Sequence, residues 1–276
     1  MPKEIIFVKT RYVYDSYSDF WQLVKLSGYK TCYVDEVFIN KEDTVFITAP
    51  INGEWRPHID NQRNLPHNAH LVLWQLERPA NSGGSIGQYG KDNRDLIYNR
   101  YFDEVWISDQ QLANESMLRF VPLGSHPNLG HPGPLGNKHF NAVHMSYIVP
   151  RRATIYKKIK KLAPNCWGDR RDQVLKQSKC GINVHQDNYP FCEPLRLALF
   201  AAYGLPVISE RVTITEPYGG KIIWQDYEDV IPTMKNALSD YAKLYEFGLE
   251  LRNYLCEKNN FKKWVDKAIF EEGVWK

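Results

Sequence analysis

The sequence predicts an α/β fold of two facing Rossmann-like domains with a cleft between them. Three observations carry that prediction. Short β-branched and aromatic runs alternate with amphipathic stretches, the pattern of a parallel sheet covered on both faces. The alternation breaks once, at 124–138 (GSHPNLGHPGPLGNK), a Gly- and Pro-rich segment without periodicity that reads as a linker. Residues 179–210 then read as strand, loop, helix and strand, with Pro194 opening the helix and Gly204 stopping it.

In order, 4–8 (EIIFV) is a buried strand, and 18–27 is a helix with Ser18 as N-cap and Gly28 as its stop. Residues 31–34, 44–48 (TVFIT) and 70–75 (HLVLWQ) are further strands, separated by a long loop over 49–66. The glycine-rich stretch after Pro79, ANSGGSIGQYG, does not form GxGxxG and reads as a surface loop. Residues 104–108 and 117–123 are strands around a short helix that begins at Asp109. Beyond the linker, 140–148 is a strand, 150–162 a Lys-rich helix, 165–168 a short extended piece and 169–178 a helix. Residues 221–224 are a late strand, 227–258 are mostly helical, and 261–270 form an amphipathic helix. The domains expected are 1–130, 139–258 and a closing helix over 259–276.

Composition narrows the class. The 276 residues are 43% hydrophobic and 24% charged, which suits a globular chain with a large core. A balance of 35 Lys and Arg against 32 Asp and Glu, +3 in all, gives no bulk argument for nucleic acid. Cys32, Cys166, Cys180, Cys192 and Cys256 form no CxxC pair, so reduced thiols and a cytoplasmic protein are expected rather than a disulfide frame or a zinc site. No run is long or apolar enough for a signal peptide or a membrane span.

The strand–loop–helix at 181–202 supplies an anion site, because the free N–H groups and dipole of a helix start point into the loop. Glu193 sits at that mouth and Arg196 one turn inside.

The run Glu193-Pro194-Leu195-Arg196, followed by Ala202-Tyr203-Gly204-Leu205-Pro206-Val207-Ile208-Ser209-Glu210, resembles the donor-domain signature of GT-B glycosyltransferases. It is most similar to the "glycosyl transferases group 1" and spore-maturation-type branch. Trp167-Gly168-Asp169-Arg170-Arg171, His185 at its strand end and the stretch RYFDEVWISDQ are similar to that branch as well. The resemblance covers most of the chain and is strongest over 140–224. It departs from the E-x7-E form: counted back from Gly204, the second glutamate position holds Leu199.

The resemblance implies transfer of a sugar from a nucleotide-sugar, a UDP-sugar by preference, to an acceptor hydroxyl, without metal or other cofactor. Cations and N–H donors would then meet the leaving diphosphate. Arg152 and Arg196 are the first candidates, with Arg151, Arg170, Arg171 and His185 beside them. Glu193 would accept from sugar hydroxyls and Glu210 from the ribose diol. Glu77, at a strand end, is the candidate general base if the reaction inverts, with Asp15, Asp109 and His126 as weaker alternatives. Tyr189, Phe191 and Trp224 could stack on a base or sugar. Each residue also has an ordinary structural role: a surface ion pair for an arginine, helix-start stabilisation for Glu193, an exposed turn for Glu210, core packing for Trp224.

Three acceptor classes stay open: a glycan, a small molecule, or a hydroxymethylated base in DNA, as in small phage enzymes of this fold. The run Lys157, Lys158, Lys160 and Lys161 could meet a phosphate backbone, although such runs are usually solvated faces. A binding module of the same fold without transferase activity is the alternative. A dehydrogenase is disfavoured by the missing GxGxxG.

Overall fold

The computed structural model describes residues 4–9, 18–37, 43–49, 69–76, 102–116, 118–165, 168, 170–215 and 217–271. The chain forms two compact units, Met1–Pro122 with Lys262–Lys276, and Leu123–Phe261.

The first unit holds strands β1 (Glu4–Lys9), β2 (Lys30–Tyr33), β3 (Thr44–Thr48), β4 (His70–Gln75), β5 (Glu104–Ile107) and β6 (Arg119–Phe120). They form one parallel sheet in the order β2-β1-β3-β4-β5-β6. Helices α1 (Ser18–Leu26) and α2 (Gln110–Ser116) belong to the same unit. Side chains alternate across a strand, so both faces of β1 are apolar and both are used. Ile6 and Val8 join a cluster with Val34, Phe46, Leu71 and Leu73. Phe7 turns the other way, its ring 6.0 Å from that of Phe20 on α1. Phe20 meets Trp74 edge-on at 5.8 Å, and Trp74 meets Trp106 at 5.4 Å. Each such pair adds roughly 1 kcal/mol beyond its buried area. The indole N–H of Trp74 donates to Ser108 Oγ at 2.8 Å, so this large ring is buried without an unmet donor.

The C-terminal segment of this unit begins in α8 (Phe261–Asp266), the last of the eight α-helices named here. Tyr29 donates to Asp266 Oδ1 at 2.8 Å, and Arg119 donates to the carbonyl of Ala268.

The second unit carries α3 (Pro150–Tyr156), α4 (Arg170–Lys176), β7 (Gly181–Asn183), α5 (Pro194–Ala202), β8 (Val207–Glu210), β9 (Ile223–Gln225), α6 (Val230–Ser239) and α7 (Tyr241–Arg252). The sheet β7-β8-β9 is parallel. Val143 runs parallel beside Gly181, with bridges at Phe140 and Ala142 as well. Ala142, Ile155, Tyr156, Ile182, Val184, Ile208 and Val230 pack together beneath it. Helix α5 opens on Pro194 and ends where Gly204 takes φ +62°, a left-handed value that closes a helix at little cost only for glycine.

Three expectations change. The segment 124–138 does not stand apart as a linker, because it packs on the second unit. Ser125 N–H donates to the carbonyl of Leu255, Leu129 is buried, and a Cβ on Gly133 would lie 2.0 Å from the carbonyl oxygen of Lys176. Periodicity is absent there because the segment follows the surface of other elements and forms none of its own. The strand expected over 140–148 bridges its neighbours only as far as Val143. Beyond it, arginine side chains take the carbonyls of Met145 and Tyr147. The Lys-rich helix stops at Tyr156, and the lysines after it lie in turns, with Lys161 at φ +54°.

Candidate active site

Two carboxylates organise the second unit. Glu193 is the N-cap residue of α5, and its side chain does not cap the helix. It reaches instead to two guanidiniums. Arg152 Nη2 donates to its Oε1 at 2.5 Å, and Arg196 Nη1 donates to its Oε2. Arg152 is 2% exposed; its Nε–H also donates to the carbonyl of Val184 at 2.7 Å and Nη1 to that of Tyr147 at 3.1 Å. Arg196 donates to Met145 O at 2.8 Å and to Asn183 Oδ1. The Asn183 amide is oriented for that by its own donation to Ser209 Oγ at 2.9 Å. Burial lowers the pKa of Arg152, and Glu193 opposes the shift.

Glu210 ends β8 and takes Arg151 bidentately, through Nη1 at 2.6 Å and through Nη2. It also accepts the backbone N–H of His185 at 2.9 Å. Arg151 is fixed further by the carbonyl of His185, by Asn188 Oδ1 and by the Tyr227 ring, 4.1 Å from its guanidinium carbon. The hydrogen bond to Glu210 raises the pKa of Arg151. His185 is buried, with Nε2 at 3.2 Å from the carbonyl of Arg211 and Nδ1 sealed without a partner among the described residues. Three guanidiniums thus face Glu193 and Glu210, with Asp187 also acting on Arg151. The directional N–H donors of arginine suit a phosphate-bearing ligand.

One more group belongs here. His144 is 2% exposed, and its ring stacks on Tyr156 at 4.2 Å. Burial, with Arg196 and Arg152 adding to it, lowers its pKa to about 4, so the imidazole is neutral near pH 7.

The structure therefore brings together Arg152, His185, Glu193, Arg196 and Glu210. Arg170 is exposed at the first turn of α4 and takes no part in these bonds. Glu77 and Asp15 lie outside the described residues. Asp109 caps α2 through Leu112 N–H at 2.9 Å, and His126 Nδ1 accepts from Asn128 N–H. Phe191 and Trp224 are buried, while Tyr189 lies half-buried in the loop 186–190. Glu210 is buried at a strand end and does not sit in an exposed turn. The second-glutamate position holds no acid in either register: Leu199, and Ala201 when counted forward from Glu193, are both buried apolar residues of α5. The sequence reading missed Asn183, His144, Ser146 and Tyr156. The local signal was the polar pair His144 and Ser146, either side of Met145 at a strand end.

Cys32, Cys180, Cys192 and Cys256 are free thiols, and Cys166 lies outside the described residues. Among the described residues no helix is long and apolar enough to cross a membrane, and no cluster of His, Cys, Asp and Glu could hold a metal ion.

No family model and no curated protein matches the sequence. Solved structures do. An alpha-glucosyltransferase in complex with UDP and a 13-mer DNA containing a central A:G mismatch is 11% identical, with TM-score 0.60, over 96% of this chain and 99% of that one. AviGT4, a glycosyltransferase involved in avilamycin A biosynthesis, is 9% identical, with TM-score 0.59, over 97% and 96%. TarM is 12% identical, with TM-score 0.55, over 82% of this chain; the match spans 54% of TarM. At these identities the likeness is one of fold. The chain has the Rossmann-like α/β fold of GT-B glycosyltransferases, the class its sequence resembles.

Proposed function

We propose that the chain is a glycosyltransferase that moves a sugar from a nucleotide-sugar, a UDP-sugar by preference, to an acceptor hydroxyl without a metal. The observation that carries this reading is Glu193 held between Arg152 and Arg196 at the start of α5, in a fold shared with glycosyltransferases. In the reaction the bond from the anomeric carbon to the diphosphate oxygen breaks, and a bond from that carbon to the acceptor oxygen forms. The leaving diphosphate gains negative charge, which Arg152 and Arg196 would meet. Glu193 keeps lone pairs for hydroxyls of the sugar. Glu210 is occupied by Arg151 and His185 N–H, so its contact with a ribose diol would be a further hydrogen bond on a carboxylate already fixed in place. The acceptor proton leaves to a base, Glu77 if the reaction inverts, or to the departing phosphate oxygen.

A hydroxymethylated base in DNA is the acceptor we favour, on the DNA bound to the alpha-glucosyltransferase of like fold; a glycan or small molecule is the alternative. The reaction would take place in the cytoplasm, the host's if the chain is viral. One observation favours a second reading, a nucleotide-sugar-binding module: no acid stands at Leu199 or Ala201.

Incubation with UDP-glucose and related donors, with and without duplex DNA carrying hydroxymethylcytosine, tests both. Release of UDP that needs the acceptor supports transfer. Saturable binding without UDP release on any acceptor supports the module. Absence of binding to every nucleoside diphosphate and nucleotide-sugar overturns both.

A further inference from the structure

Among the described residues, β2 stands at one end of the first unit's sheet, and α1 packs on its neighbour β1. Phe7 of β1 and Thr31 of β2 are partners in register, so their side chains share a face. Phe7 is fully buried against Phe20 of α1, whereas Thr31 is exposed. The step between them opens a hollow of about 450 Å³ between α1 and the sheet edge. Its walls include Trp21, Gln22 and Lys25 of α1, then Tyr29, Thr31 and Lys9, the last residue of β1.

The charges of this hollow are not balanced. Lys30 beside it pairs with Glu4, and Lys262, over the Tyr29 ring, pairs with Asp266. Lys9 and Lys25 meet no carboxylate among the described residues; the Lys9 ammonium lies 4.9 Å from the centre of the Tyr33 ring. Tyr29 donates its hydroxyl proton to Asp266, which leaves it no donor for the hollow. Trp21 is half-buried, its ring 5.2 Å from that of Phe20 and at 83° to it, and it shows the rest of its indole to the hollow.

Two unbalanced cations call for anions, and an indole surface calls for a flat partner. Lys9 and Lys25 come from different elements, which suits the repeated phosphates of a strand better than the single phosphate end of a free nucleotide. We propose that the hollow binds an unpaired nucleotide of a DNA strand, its base stacked on Trp21 and its flanking phosphates on Lys9 and Lys25. The volume is that of a small-ligand pocket. The Gln22 amide and the Thr31 hydroxyl both donate and accept, so they meet the polar edge of any base. The choice of DNA rests on the acceptor proposed for the transfer reaction. An enzyme that modifies a base draws it out of the stack, and such opening supplies unpaired nucleotides.

Fluorescein-labelled oligothymidylate is the probe, and its anisotropy, titrated over a range of salt, is the readout. The double variant Lys9→Gln, Lys25→Gln is expected to weaken binding about tenfold at low salt. Its slope of log affinity against log salt should be shallower by about 1.4, the loss of two phosphate contacts on a single strand. Trp21→Ala should also weaken binding about tenfold, but with the slope unchanged, because stacking releases no counterions. Wild-type affinity and slope in the lysine variant, or no oligothymidylate binding by the wild type, overturn the proposal. Should Trp21→Ala fail to fold, the lysine variant decides, since neither lysine is buried. Thymidine monophosphate is the second arm. Displacement of oligothymidylate by an equal concentration of that nucleotide assigns the hollow to free nucleotides and overturns the strand as its occupant; no displacement supports the strand. Failure of the transfer reaction is distinct. Oligothymidylate binding that depends on Lys9 and Lys25, without sugar transfer to hydroxymethylcytosine, leaves the hollow standing and removes the DNA acceptor. Transfer to DNA, with the lysine variant matching the wild type in rate and affinity, does the reverse.

Discussion

The two units solve burial in opposite ways. The first unit fills its sheet with rings, Phe7, Phe20, Trp74 and Trp106, and its buried acids sit at helix starts: Asp109 caps α2, and Asp19 lies in the first turn of α1. The second unit buries Arg152, Glu210, His144 and His185; Arg152 donates to the carbonyl of Val184 after β7, and Glu210 at the end of β8 takes Arg151 and the N–H of His185. Taking an ion out of water costs several kcal/mol, so such a cluster is weak as a source of stability. That cost is the reason the proposed function assigns the nucleotide-sugar to the arginines and glutamates of the second unit and not to the ring-packed first unit.

Substitutions can break that contrast. Glu193→Ala leaves Arg152 and Arg196 without their carboxylate; we expect transfer to be abolished and the second unit to lose about 3–5 kcal/mol. This sharpens what the sequence alone suggests, because the residue now supports the fold as well as the site. Trp74→Ala should cost the first unit a similar 3–5 kcal/mol or so. Pyrophosphate affinity should nevertheless stay unchanged, and hydrogen exchange resolved by unit separates the two outcomes. If Trp74→Ala also abolished pyrophosphate binding, the division of labour would be wrong.

A pH titration comes next. The folded pKa of His144, about 4, lies below its ordinary 6.5, so the unfolded chain takes up that proton first. Stability should fall as pH drops from 6.5 towards 4 and stop falling on this account below that, by on the order of 3 kcal/mol in total. The comparison is with His144→Gln, which should lack this component in denaturant melts. Glu210→Gln should cost less, about 2 kcal/mol, because Arg151 retains the Tyr227 ring, Asn188 and the carbonyl of His185. The smallest effect expected is Tyr29→Phe, about 1 kcal/mol from the first unit, read as faster exchange of the amides in α8.

Much of this was legible in the sequence. The central strands of the first unit announced themselves through short apolar runs such as Ile5–Val8 and Leu71–Trp74, as expected where both faces of a parallel sheet are covered. The helix at Pro194–Ala202 did so through its proline, its broad apolar face and Gly204. Glu193, Arg152 and Arg196 were legible as a candidate group because charges at a helix mouth are out of place in a core, and the structure brings the three together. What was not legible depends on partners far apart in sequence. Arg151 and Glu210 are 59 residues apart, and nothing local says that they meet. Glu210 therefore read as a ribose-diol acceptor with no hint of its pairing to Arg151, and His144 as one more position in a strand. The segment 124–138 misled for the converse reason: Gly and Pro mark flexible connections and closely fitted ones alike, and tertiary contacts such as the carbonyl of Lys176 against Gly133 distinguish them.

The return of 262–271 to the first unit has a consequence for how the chain is made. Domains commonly complete in the order in which they leave the ribosome. Here the order is reversed. The sheet β1–β6 emerges first, but Asp266 and the carbonyl of Ala268, the partners of Tyr29 and Arg119, appear only after residues 123–261 have been synthesised. The second unit is continuous in sequence and can close on itself while the first still waits for its final helix. A fragment ending at Pro122 would lack those anchors, whereas 123–261 is the piece to express alone.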